Sequence, residues 1–143
     1  MYSKAEMQKL KHEFWIAFAD EYPRKWLLYD TKIKDFSFKF YADNKKAQVT
    51  IDIEMRDNEK RMAYFEKIES LKTILEDEFV KDLVFERNLT LESGKIISRI
   101  WVEQLGISIS NRNTWPQIFE FFADKMAALE AFYYEYDEYI KNV

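Results

Sequence analysis

A strand pattern that runs directly into a helix pattern, between residues 47 and 79, most constrains how this chain can fold. Val49, Ile51, Ile53 and Met55 alternate with polar residues, which is the period of a half-buried β-strand. Apolar residues then recur at the three- and four-residue spacing of a helix that we expect to run to about Val80: Met62, Phe65, Ile68, Leu71, Leu75 and Phe79. Because each element has one apolar face, the strand and the helix are expected to cover each other.

Similar patterns on both sides of this unit predict two more helices. Ser3 and Glu6 have the spacing of a capping box at the start of an amphipathic helix that should end before Pro23. Thr114 and Gln117 repeat that spacing, with a proline in the first turn, at the start of a long last helix.

Three further strands are predicted from alternating apolar residues. Residues 36–41 should pair with the 47–55 strand through the Asp43-Asn44 turn. A second hairpin is expected on either side of Ser93-Gly94, and in its first strand Leu83, Phe85, Leu89 and Leu91 should face the helices. Residues 24–34 have no clear period, so a loop and a short edge strand both remain open.

The predicted order of elements is α-β-β-α-β-β-α, in one domain spanning residues 1–143. Two hairpins and three amphipathic helices hide their apolar surfaces most economically in a two-layer α+β fold. We therefore expect a four-stranded, mainly antiparallel sheet with three helices packed on one face. The other face of the sheet is then polar or available to a partner.

Composition argues against several classes of protein. The chain has no cysteine, two glycines and one histidine, so a Cys-based zinc site, a glycine-rich phosphate loop and a serine-hydrolase triad are not expected. No apolar run is long enough for a membrane span, and we expect a cytoplasmic protein without a cofactor. The net charge of −4 disfavours sequence-independent DNA binding, which needs Lys and Arg to neutralise phosphates.

The sheet face opposite the helices carries the predicted partner-binding surface. If the apolar strand residues face the helices, five residues gather on the other side: Lys39, Asp52, Glu54, Arg99 and Trp101. A large aromatic side chain beside charged groups is typical of protein interfaces. A solvated face with weak cross-strand ion pairs is the alternative interpretation.

Two other groups of residues have a chemical interpretation. Asp52 and Glu54 share one strand face and could hold a divalent cation, as acidic pairs do in restriction-endonuclease-like nucleases. Those nucleases complete the pair with a lysine, where this chain has Arg56, and their strand order differs from the one expected here; we predict no catalytic or metal-binding residue. Phosphate contact is expected only at four basic residues in loops or turns, Arg24, Lys25, Lys45 and Lys46, for which a solvated loop is the alternative.

Several short segments resemble a known bacterial family. Thr114-Trp115-Pro116-Gln117-Ile118 before a terminal helix, Arg99-Ile100 in the preceding strand and residues 49–55 are similar to the family catalogued as domain of unknown function 4268. The resemblance extends roughly from Phe14 to Phe132. It implies a stand-alone relative of modules that are otherwise attached to restriction-endonuclease-like domains, near nucleic acid or phage defence, and it implies no reaction.

The sequence therefore predicts a non-enzymatic interaction module, expected to form a homodimer through the outer sheet face. The competing hypothesis is a nucleic-acid-associated accessory domain of a restriction or phage-defence system. An enzyme is the third option, and metal binding at Asp52 and Glu54 would support it.

Overall fold

The computed structural model describes residues 2–143 as an α+β fold, which confirms the predicted class. The elements follow in the order α1 (Lys4–Glu21), β1 (Phe36–Ala42), β2 (Lys46–Ile53), α2 (Asn58–Ser70), α3 (Lys72–Glu78), β3 (Val84–Thr90), β4 (Ile96–Leu105) and α4 (Trp115–Lys141). A 3-10 turn, Arg112–Thr114, leads into α4. All four predicted strands are present, and the capping box at Ser3 and Glu6 starts α1 as predicted.

The four strands form one antiparallel sheet in the order β1-β2-β4-β3. Ile51 opposes Phe38 on β1 and Ile100 on β4, and residues paired in this way share a sheet face. The ring of Phe38 lies 5.5 Å from that of Tyr133 on α4, between ring centroids. The face that carries Ile51, called the inner face below, is therefore the one covered by helices.

The helices pack on the inner face through an aromatic core. Phe122 on α4 lies between helix and sheet, with its ring centroid 4.8 Å from that of Phe40 on β1. The same ring contacts Phe14, Trp15 and Phe18 of α1. These contacts join α1, α4 and β1, so the arrangement of the two longest helices over the sheet depends on them.

The prediction of three helices is wrong, because the segment expected as one long helix forms two. α2 ends at Ser70 and α3 begins at Lys72, with Leu71 in a non-helical conformation between them. The Ser70 hydroxyl donates a hydrogen bond of 2.6 Å to the backbone carbonyl of Lys67. A serine hydroxyl that bonds a carbonyl of the preceding turn competes with the regular helix. The order is therefore α-β-β-α-α-β-β-α.

The predicted capping box at the last helix is also wrong. The Thr114 side chain does not cap α4. Its hydroxyl oxygen lies 2.7 Å from the Ser108 carbonyl and 2.8 Å from the Asn111 carbonyl, either of which can accept its single proton, and it accepts a hydrogen bond from the Ser108 amide. These bonds hold the loop before α4 in place, and the helix start relies on Pro116 in its first turn.

A β-bulge in β3 places two residues on the sheet face opposite to the one expected from regular alternation. Glu86 pairs with Arg99, but the next pairing is Leu89 with Ile97, so two residues lie between them on β3 and one on β4. Leu89, predicted to face the helices, shares the opposite face with Ile97. Asn88, which a regular alternation after Glu86 would place on that opposite face, instead accepts a hydrogen bond of 2.9 Å from Arg61 of α2.

The segment between α1 and β1 is an irregular loop that α4 anchors. The buried carboxylate of Glu130 accepts hydrogen bonds from the Leu27 amide and from Arg24, each 2.6 Å long. The Tyr133 hydroxyl donates to the backbone carbonyl of Thr31. The amide of Phe38 bonds the carbonyl of Leu28, so this loop covers part of the free edge of β1.

Because the buried Tyr133 hydroxyl bonds the Thr31 carbonyl, we expect the protein to lose stability at alkaline pH. Burial raises the pKa of Tyr133 from 10 to about 12. A group whose folded-state pKa is raised contributes stability below its unfolded pKa and loses it as the pH rises through the folded value. We therefore expect a loss of up to about 2.5 kcal/mol between pH 10 and 12 from this residue.

Urea unfolding of the wild type and of Tyr133→Phe at several pH values tests this expectation. The variant lacks the hydrogen bond to Thr31 and should be about 1–2 kcal/mol less stable at neutral pH. The difference in the free energy of unfolding between the two proteins should shrink above pH 10 and change sign towards pH 12, because only the wild type has to keep this hydroxyl protonated. A constant difference across that range would contradict the assignment.

Candidate functional site

The sheet face turned away from the helices, called the outer face, carries the five residues predicted to bind a partner. Three cross-strand rows define it: Ser37-Asp52-Arg99, Lys39-Thr50-Trp101 and Tyr41-Gln48-Glu103. Glu54, one residue beyond β2, reaches the same face through Lys39, whose Nζ lies 2.9 Å from a Glu54 carboxylate oxygen. The structure therefore brings Lys39, Asp52, Glu54, Arg99 and Trp101 together on one surface that no helix covers.

Asp52 and Arg99 form a buried, bidentate ion pair in this face. Arg99 donates from Nε and from an η nitrogen to the two carboxylate oxygens of Asp52, at 2.8 and 2.9 Å. Asp52 is fully buried although no helix covers it. Hydrogen bonding to Asp52 raises the pKa of Arg99 above its usual value. Arg99 is therefore charged at every physiological pH.

Lys39 links this pair to a second carboxylate, that of Glu54. The Lys39 ammonium lies 3.5 Å from an Asp52 oxygen, and Lys95 contacts Glu54 at 3.2 Å. Burial alone would raise the pKa of Glu54, but hydrogen bonds from Lys39 and Lys95 outweigh it and the pKa lies below its usual value. Both carboxylates that the sequence offers as a metal pair thus have cations as partners, and residues 2–143 contain no group of three or more metal-binding side chains.

A concave pocket of about 380 Å³ opens on the outer face. Lys39, Lys46 and Arg99 contribute cations to its wall, and Leu89 and Trp101 contribute apolar surface. Thr50 lies at the centre of the face, between Lys39 and Trp101, and is 2% exposed. Its hydroxyl oxygen has no hydrogen-bond partner among residues 2–143. A buried polar atom without a partner is rare and costly in a folded protein.

Exposed apolar side chains extend the outer face beyond the pocket. Val84 opposes Trp101 and is 43% exposed, and Leu105 at the end of β4 is 66% exposed. Sequence reasoning missed Thr50 and Leu105 as site residues, and it misplaced Leu89. Leu105 follows the alternation of Arg99, Trp101 and Glu103, so the period of β4 would have identified it.

The four residues predicted to contact phosphate differ in their surroundings. The Arg24 guanidinium stacks on Trp26, 3.9 Å from the ring centroid, and pairs with the buried Glu130. Lys46 lies 3.9 Å from Glu103 and lines the outer-face pocket. Lys25 and Lys45 are exposed. Phosphate binding at these positions stays a prediction.

A larger depression, of about 640 Å³, runs along α4 and the end of β4. Its wall includes the acidic Glu120 and Asp124 beside Lys125. Among residues 2–143, the two buried side-chain oxygens without a hydrogen bond belong to Thr50 and Glu76, and neither lines this depression. The outer-face pocket is therefore the better candidate site.

No helix among residues 2–143 is both long and apolar enough to cross a membrane.

Comparison with known proteins gives one match, to a protein family. No curated protein and no solved structure matches the chain. The model of a family described as Domain of unknown function (DUF4268) matches residues 10–137. The match covers most of the chain and confirms the resemblance seen in the sequence, so this protein belongs to the DUF4268 family.

Proposed function

We propose that this protein is a non-enzymatic interaction module that forms a homodimer through its outer face. The observation that carries the proposal is an outer face that none of the described helices covers. On it, exposed Val84 stands beside the half-buried Trp101, and Leu105 is exposed at the end of β4. Exposed apolar residues next to an aromatic side chain and charged groups are typical of protein interfaces.

The layout of this face is compatible with a second copy as the occupant. Both halves carry cations and carboxylates: Lys39, Lys46, Asp52 and Glu54 on the β1–β2 half, and Arg99, Glu86 and Glu103 on the β3–β4 half. A two-fold axis parallel to the strands would place the β1–β2 half of one copy against the β3–β4 half of the other, which carries the exposed Val84 and Leu105. Such an isologous contact is self-complementary, as closed dimers require.

The size of the face sets the expected affinity. With about 4.8 Å between strands and about 3.3 Å per residue, four strands of this length cover roughly 450 Å² in projection. Stable interfaces bury about 800 Å² on each partner. The proposed dimer is therefore weak, with a dissociation constant in the micromolar range.

Sedimentation equilibrium over a range of protein concentrations tests the dimer. We expect a mass that rises with concentration, and Leu105→Lys should raise the dissociation constant at least about tenfold by bringing a cation towards Lys46 of the second copy. Ile16→Lys is the matched control, because Ile16 is 47% exposed on α1, away from the outer face. A monomer at millimolar concentration, or equal effects of the two variants, would contradict the proposal.

The competing function, a nucleic-acid accessory domain, has a separate test. The exposed Lys25 and Lys45 make no ion pair within residues 2–143 and would be the residues that contact phosphate. Titration with labelled DNA at low and moderate salt would then show salt-sensitive binding that is lost when both lysines are replaced by glutamine.

A further inference from the structure

We propose that the outer-face pocket binds the carboxylate group of a small organic acid that has a flat apolar body. This proposal goes beyond the dimer and does not require it, because the pocket is formed within one chain. Three observations on the same few residues carry the argument: an unpartnered donor, an excess of positive charge, and an apolar wall.

The unpartnered donor is the hydroxyl of Thr50. Thr50 is buried in the middle strand pair, and none of the described residues bonds its hydroxyl oxygen. Its cross-strand neighbours are Lys39 on one side and Trp101 on the other, and all three side chains line the pocket. The hydroxyl oxygen has almost no accessible surface, so a ligand atom that accepts this hydrogen bond, which the folded chain leaves unmade, must displace part of the flexible side chains beside it.

Positive charge predominates at the pocket wall. None of the described residues that line the pocket is acidic, whereas Lys39, Lys46 and Arg99 are cations. The ion pairs around the pocket join four cations, Lys39, Lys46, Lys95 and Arg99, to three carboxylates, Asp52, Glu54 and Glu103. Glu86 opposite Arg99 and Asp43 beside Tyr41 add further carboxylates around the pocket, so the positive charge is confined to the pocket wall, which fits the single charge of a carboxylate better than the double charge of a phosphate monoester.

The apolar wall of the pocket would contact the apolar body of the ligand. Leu89 reaches this pocket because the bulge in β3 moves it to the outer face, and Trp101 stands beside it on β4. A volume of about 380 Å³ lies at the small end of the range for ligand pockets. Such a pocket holds one aromatic ring on the tryptophan while the acid reaches Thr50 and Lys39.

Titration of the isotope-labelled protein with phenylacetate, followed by NMR, tests the proposal. We expect saturable shifts of the Thr50 amide and of the Trp101 indole N–H, with a dissociation constant in the millimolar range for so small a probe. Trp101→Phe identifies the indole signal. Phenylacetamide has the same shape without the charge and should bind at least about tenfold more weakly, because it cannot pair with the cations.

Two variants separate binding from folding. Thr50→Val keeps the shape of the side chain and removes the unpartnered hydroxyl, so it should unfold at the same or a higher urea concentration while binding phenylacetate at least about fivefold more weakly. Lys39→Met should weaken phenylacetate binding to a similar degree. Unchanged binding by both folded variants would overturn the proposal.

The remaining outcomes also decide the question. Equal affinity for phenylacetate and phenylacetamide, or tighter binding of inorganic phosphate, would overturn the assignment of a carboxylate ligand. The mass of the protein, measured in the same solutions, keeps the two proposals apart: a monomer that binds phenylacetate supports the pocket and contradicts the dimer. A dimer whose Thr50 and Trp101 signals do not respond to phenylacetate supports the dimer and contradicts the pocket.

Discussion

Replacing Arg99 by methionine should lower the free energy of unfolding by about 3–5 kcal/mol. The change leaves the carboxylate of Asp52 fully buried without its bidentate partner. The remaining cation, Lys39, lies 3.5 Å from Asp52 and already bonds Glu54 at 2.9 Å, so it compensates only in part. Urea unfolding of the wild type and the variant measures this loss directly.

A second substitution should restore most of the lost stability. Asp52→Val combined with Arg99→Met removes both charges and leaves apolar side chains of suitable shape in two central strands. Replacing a buried ion pair by packed apolar residues is often neutral or stabilising. We therefore expect the free energy of unfolding of the double variant to lie within about 1 kcal/mol of the wild-type value. The coupling energy of the double-mutant cycle then reports the interaction between the two charges.

Lys39→Met is the matched control for this cycle. Lys39 has a third of its side chain exposed and shares its charge between two carboxylates, so its loss should cost about 1 kcal/mol or less. If Arg99→Met cost no more than Lys39→Met, Asp52 would not depend on Arg99, and the outer face would not be organised around this pair. The double-mutant cycle would then show no coupling.

The sequence predicted those parts of the fold that follow from regular periods. Ile51 and Ile53 alternate with Thr50 and Asp52, and the structure places the two sets on opposite faces of the sheet, as the period requires. The surface predicted from Arg99 and Trp101 exists as one face because both residues follow the same alternation on β4. No property of the sequence indicated that Thr50 and Asp52 would be buried on the face turned away from the helices.

The errors lie where a local interaction overrides the period. At Ser70 the side chain bonds a backbone carbonyl, and the helix ends although Leu71 and Leu75 continue the apolar pattern. In β3 the bulge reverses the facing of Leu89, and it is held by Arg61 on α2, which bonds the carbonyl of Arg87. The contact between Arg61 and Arg87 joins residues far apart in the chain, and a single sequence carries no signature of it.

Phe122→Ala should also lower the free energy of unfolding by about 3–5 kcal/mol. The ring is fully buried and meets aromatic side chains from α1 and β1, with centroids 5.4 Å from Phe18 and 4.8 Å from Phe40. Its removal leaves a cavity between three elements that cannot all move into it, because each is held by other contacts. A domain of this size has roughly 5–15 kcal/mol of stability, so the variant should lie close to the limit of folding.

Tyr134→Ala is the matched control for Phe122→Ala, because Tyr134 is an aromatic residue on the same helix that is 62% exposed. It should change the free energy of unfolding by no more than about 0.5 kcal/mol. Phe122→Leu keeps most of the buried volume and should lose less than half of what the alanine variant loses. If Phe122→Ala cost as little as Tyr134→Ala, the two long helices would not depend on this ring.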